Sequence, residues 1–73
     1  MDLKQTRLSH GLTLQQIVNK SGLARITVEN AEKGRVVAVV SAIRIVNALN
    51  ELAGQSYTVE SLGIKVSTRG TQG

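Results

Sequence analysis

The sequence predicts an all-α domain, a compact bundle of about five short helices, and three features carry that reading. Proline is absent, while seven glycines fall where apolar periodicities stop: Gly11, Gly22, Gly34, Gly54 and Gly63, with Gly70 and Gly73 near the end. Glycine ends helices because it enters the left-handed conformation without the steric cost that other residues meet. Between these stops, apolar residues recur at the i, i+3, i+4, i+7 spacing of a helix face. A capping pattern, Thr13 with Gln16 three residues on, opens the clearest of these segments. The domain is expected to cover residues 1–64, and residues 65–73 (KVSTRGTQG) to form a polar, flexible C-terminal tail.

A first helix is expected over residues 2–9, with Asp2 at its positive end and His10 at its negative end, both favourable to the helix dipole. Leu3 and Leu8 are its expected core contacts. The second helix starts after Thr13, turns Leu14, Ile17, Val18 and the small Ser21 inward, and stops at Gly22. The third is expected over residues 25–33, with Val28, Ala31 and Glu32 inward and Arg25, Ile26, Glu29, Asn30 and Lys33 outward. Two helices closed by so short a turn cross steeply, so the third stands out from the body of the domain.

After Gly34 comes RVVAVV, β-branched enough for a strand, yet it leads into a helical pattern at Val39, Ala42, Ile43, Val46 and Leu49. A fourth helix is therefore expected over residues 39–53. A second apolar line, Ile45, Ala48 and Leu52, makes its apolar face wider than one small core requires. The excess assigns Val36, Val40, Ile45 and Leu52 to a contact with a second copy of the chain; a covering fifth helix is the alternative. That fifth helix would open with Thr58 as its cap, carry Val59 and Leu62, and stop at Gly63, with Ile64 folding back on it.

Composition narrows the function. Nine Lys and Arg against five Asp and Glu give a net charge of +4, and the pI is near 10.2. That balance suits a polyanion, an acidic protein or a membrane surface. A single Tyr with no Phe or Trp provides no platform for stacking unpaired bases, which favours duplex over single-stranded nucleic acid. No segment has the order of a signal peptide and no apolar run reaches about 18 residues, so a soluble, cytoplasmic chain with no membrane partner is expected. With no cysteine there is neither a disulfide nor a thiolate metal site. An enzyme is not expected: Asp2 is the sole aspartate, His10 the sole histidine, and no nucleophile stands at a convincing spacing from a base. His10 has no second ligand and reads as a helix-terminal surface residue. No glycine loop joins a strand to a phosphate-binding helix, so no cofactor and no metal are expected.

The outward residues of the third helix suit the edges of base pairs. Arginine can bond both acceptors of guanine, asparagine can read adenine, and an exposed isoleucine can touch a thymine methyl. Ile26 could equally cover the turn or pack on Leu23. Glu29 repels phosphate and would help only by accepting from a cytosine amino group. The first-turn amides behind Thr13 serve plain capping and also suit a DNA phosphate.

Four segments in order resemble the Cro and lambda-repressor-like helix-turn-helix family (XRE-type regulators) of bacteria and their phages: LKQTR (3–7), GLTLQQIVNKSGL (11–23), TVENAEKGR (27–35) and IRIVNAL (43–49). The resemblance spans roughly residues 2–62 and implies a lambda-repressor-like fold in which helices 2 and 3 form the helix-turn-helix. It implies that Arg7 of the first helix pairs with Glu32 of the third. It places Arg25, Ile26 and Asn30 at base-reading positions with Thr27 and Glu29 nearby. It places Arg35 on phosphate, and Thr13, Gln15 and Lys33 are assigned to the same backbone contacts. The chain departs from the pattern in having Leu14 where the family often has Gln, Ala24 where Ser or Thr caps the third helix, and Val37 where Pro often precedes the fourth. The segment NELAGQSY is also longer than the usual connection.

The expected function is therefore a sequence-specific double-stranded DNA-binding transcriptional regulator. It would act as a homodimer that reads a near-palindromic operator in the major groove with its third helix. The alternative is a protein-interaction module, such as the antitoxin of a toxin–antitoxin pair, with DNA binding secondary. A degenerate helix-turn-helix kept as a scaffold is the third reading, favoured by Leu14, Ala24 and Glu29.

Overall fold

Four helices and a two-stranded parallel sheet wrap one apolar core in the computed structural model, which describes residues 2–67. The order is α1 (Leu3–Ser9), α2 (Leu14–Ser21), α3 (Arg25–Glu32), β1 (Val37–Ala38), α4 (Val39–Ala53) and β2 (Val66–Ser67). Local chemistry sets most of these bounds. Asp2 caps α1 by accepting from Gln5 N at 2.8 Å, and Thr13 caps α2 by accepting from Gln16 N at 3.1 Å. Both caps are reciprocal boxes, with the third-position glutamine reaching back to the cap residue's amide. Gly22 closes α2 at φ +73°, a left-handed conformation that an L side chain adopts only at a cost.

The core gathers Leu3 from α1, Ile17 from α2, Val28 and Ala31 from α3, Ala42, Ile45, Val46 and Leu49 from α4, and Leu62 and Ile64 beyond it. The α4 residues stand at i, i+3, i+4 and i+7, so one face of the longest helix forms the floor on which α2 and α3 rest.

Several expectations are corrected by this arrangement. The fold is not all-α: Val37 pairs with Val66 and Ala38 with Ser67 in a parallel register, and the Val37 amide donates to Lys65 O at 3.0 Å. The β-branched run RVVAVV thus divides into a strand and the start of α4. Val66 and Ser67, which fall within the expected tail, are paired with β1. Residues 68–73 of the expected tail lie outside the described residues.

Residues 58–63 form a turn and not a fifth helix. Thr58 does cap it, accepting from Ser61 N at 3.0 Å, and Leu62 N reaches Thr58 O at 3.2 Å. Gly63 then takes φ +66° and ends it. A stop so soon after the cap allows a single turn, which is too short to propagate as a helix. Ile64 folds back into the core as its position implies.

Leu8 is 57% exposed, contrary to its expected place in the core. With Leu3 buried, the i+3 and i+4 positions on the same face are Thr6 and Arg7, and these are the residues buried. Ile43 and Ile45 likewise exchange places: Ile43 is exposed and Ile45 fully buried.

The connection after α4 is tied down by side chains. Asn50 accepts from Tyr57 N at 2.8 Å and donates to Tyr57 O at 3.0 Å. His10 Nε2 meets the Tyr57 hydroxyl at 2.9 Å, so the histidine at the end of α1 bonds to the loop after α4. No helix among the described residues is long and apolar enough to cross a membrane.

Candidate nucleic-acid interface

The outward surface of α3 is held in place from beneath by an ion pair. Arg7 Nε donates to Glu32 Oε2 at 2.6 Å and Nη2 donates to Oε1 at 3.2 Å. The remaining arm, Nη1, donates to Leu12 O at 2.8 Å. Both side chains are under a tenth exposed. A planar guanidinium matched to a carboxylate in this two-bond geometry fixes orientation as well as distance. The pair expected between the first and third helices is therefore formed. It ties the end of α3 to α1 and to the loop that leads into α2.

With that edge fixed, α3 buries Val28 and Ala31 and turns its other faces outward. Arg25, Lys33 and Arg35 are exposed, and Thr27, Glu29 and Asn30 are half-buried. Ile26 is 56% exposed and stands outside the core that Leu23 joins. Ala24 makes no side-chain cap bond, so the first turn of α3 rests on backbone bonds alone. Thr13 and Gln15 are exposed at the start of α2.

The polar residues are linked to one another. Arg25 Nη1 donates to Gln15 Oε1 at 2.8 Å, joining α3 to α2. Arg25 Nε donates to Glu29 Oε2 at 3.3 Å one turn along the same helix. Gln15 Nε2 donates to Asn19 Oδ1 at 2.8 Å, so both ends of the Gln15 amide are engaged within the chain. Beyond α3, Arg35 Nη1 reaches Asn30 Oδ1 at 3.4 Å, and its backbone amide donates to Asn30 O at 2.9 Å.

The charge of this face follows from the pairings. Its two carboxylates are each matched to an arginine, Glu29 to Arg25 and Glu32 to Arg7. Lys4, Lys33 and Arg35 have no carboxylate partner among the described residues. The face is therefore net positive, with its negative groups neutralised in place. Lys4 lies in the LKQTR segment, where the resemblance assigns it no role, yet it lines a hollow with Arg7, Leu14, Glu29, Glu32 and Lys33. Its position three residues before Arg7, on the same side of α1, is the signal that places it there.

The residues assigned to a contact with a second copy divide. Val36 is 60% exposed and Val40 63% exposed, and both can meet another molecule. Ile45 is fully buried in this chain's own core and cannot meet a second copy, whereas Leu52 is half-buried, packing against that core while lining an open hollow with Gln16, Asn19 and Lys20. Ile43, one turn from Val40, is 46% exposed. Among the described residues, no group of three or more His, Cys, Asp or Glu could hold a metal ion. Comparison of the chain with family models, curated proteins and solved structures finds no match.

Proposed function

We propose that the chain is a sequence-specific double-stranded DNA-binding regulator of the Cro and lambda-repressor-like kind. In this reading α2 and α3 form the helix-turn-helix and α3 enters the major groove. The observation that carries the reading is the outward surface of α3, where Arg25, Ile26 and Asn30 stand together within a net positive surround. Arg25 reads a guanine edge, Asn30 an adenine, and Ile26 meets a thymine methyl. Lys33, Arg35 and the first-turn amides of α2 behind Thr13 grip phosphates on either side. Two copies place their third helices in successive major grooves about 34 Å apart on a near-palindromic site. Val36, Val40 and Ile43 supply the apolar surface for that pairing. Such a regulator acts in the cytoplasm of a bacterial cell.

The roles of two arginines separate in a binding experiment. Arg25→Ala is expected to lose about 1–3 kcal/mol of discrimination at one base pair. Arg35→Ala is expected to weaken all sequences alike and to reduce the salt slope of binding by about one. Titrating both variants against the preferred duplex and its point-substituted versions, at several salt concentrations, checks this. Equal loss on every sequence from both variants would show the roles to be wrongly assigned.

The exposed Val36, Val40 and Ile43 also favour a second reading, in which a different protein covers this patch and DNA binding is secondary. An antitoxin would have that character. The mass of the isolated chain in solution separates the two, a stable dimer supporting the first and a monomer the second.

A further inference from the structure

Glu29 presents a problem for any surface meant to approach DNA. Its carboxylate is about a third exposed on the outward side of α3, where phosphates would repel it. Its partner in the structure is Arg25, whose Nε lies 3.3 Å from Glu29 Oε2. From the other side, Gln15 Oε1 accepts from Arg25 Nη1 at 2.8 Å. Gln15 is itself oriented, because its amide nitrogen donates to Asn19 one turn further along α2. The guanidinium of Arg25 is thus held between two helices by acceptors on two of its nitrogens. A guanidinium has five N–H donors. Two are engaged here, leaving three, including both on Nη2.

We infer that Gln15 and Glu29 are positioning residues that hold Arg25 in place for a guanine edge, and that they set how strongly the chain discriminates for that base. The inference rests on the DNA reading above. An exposed arginine with free rotamers must be ordered when it binds, and ordering one such side chain in advance strengthens recognition about three- to tenfold. The same bonds oppose alternative placements of the guanidinium, from which it could bond phosphate without regard to sequence. Glu29 is then a cation-positioning group, and its repulsion from phosphate is the cost of that role. It does not read cytosine itself.

The test measures binding of the wild-type chain, Gln15→Ala, Glu29→Ala and Glu29→Gln to the duplex the wild type prefers, to each of its single-base-pair variants, and to random-sequence duplex. Gln15 is exposed and Glu29 half-buried, and unchanged melting temperatures confirm that each variant is folded. Gln15→Ala and Glu29→Ala are expected to lose discrimination about three- to tenfold each, at the same base pair that Arg25→Ala affects. Glu29→Gln can still accept from Arg25 Nε and keeps most of it. Both Glu29 variants are expected to bind random duplex more tightly, since one repelled charge is gone. A merely structural role for Glu29 would not produce tighter binding with poorer discrimination in one variant and rescue in the other. Undiminished discrimination in Gln15→Ala and Glu29→Ala, beside a discriminating wild type, would overturn the inference alone. Loss at a different base pair from Arg25→Ala, unrescued by glutamine, would also overturn it, because Glu29 would then be reading a base directly. A wild-type chain with no preference at any position would overturn the DNA reading, and the inference with it.

Discussion

Replacing Glu32 with alanine is expected to lower the unfolding free energy by about 3–5 kcal/mol. The Arg7 guanidinium is nine-tenths buried and gives two of its hydrogen bonds to that carboxylate. Removing the carboxylate leaves a cation in the protein interior with a single carbonyl, Leu12 O, to bond. A 73-residue domain has a total stability of about 4–11 kcal/mol, so the loss takes a large share of it. The pair itself is not a large net source of stability, since desolvating two charges costs much of what their attraction returns. Arg7→Met combined with Glu32→Leu is therefore expected to recover most of the loss, falling short by the unpartnered Leu12 carbonyl. Urea unfolding of the two single variants and the double variant measures this. A Glu32→Ala chain within about 1 kcal/mol of wild type would show that the pair is effectively solvated.

Leu62→Ala is expected to cost about 2–5 kcal/mol, whereas Leu8→Ala changes stability by no more than about 0.5 kcal/mol. Leu62 is 1% exposed although it lies in a turn, and Leu8 is 57% exposed although it lies in a helix. Secondary structure is therefore no guide to the cost at either position; burial is. The loss of Leu62 should also reach the sheet, because the turn it anchors delivers β2 to β1. Hydrogen exchange at the Val37 amide, which donates to Lys65 O, reports that directly. Faster exchange there in Leu62→Ala, with unchanged exchange in Leu8→Ala, is the expected pattern. Equal costs from both substitutions would contradict the packing described.

What could be read from the sequence was what neighbouring residues decide among themselves. Thr13 with Gln16, Gly22, and the span of α4 from Val39 to Ala53 all follow from caps, stops and periodicity. The parallel pairing of β1 and β2 did not, because each strand has two residues, too few to show alternation, and the partners are distant in the chain. The rotation of α4 was ambiguous for a different reason. Ile43 and Ile45 both belong to plausible apolar lines, and only packing against α2 and α3 decides that Ile45 is buried. A similar division applies to the candidate interface. Arg25 and Glu29 stand at the i, i+4 spacing of a helical ion pair, so their contact is readable. The bond from Arg25 to Gln15 crosses between helices and depends on how α2 and α3 meet.

Whether the surface of α3 reads a duplex decides the proposed function. Selection of bound duplexes from a random pool at about 150 mM salt, where binding through phosphates alone has largely faded, measures this most directly. The predicted result is a two-fold-symmetric motif with half-sites one helical turn apart and a guanine in each half-site that is lost with Arg25→Ala. A recovered pool no different from the starting one would contradict it.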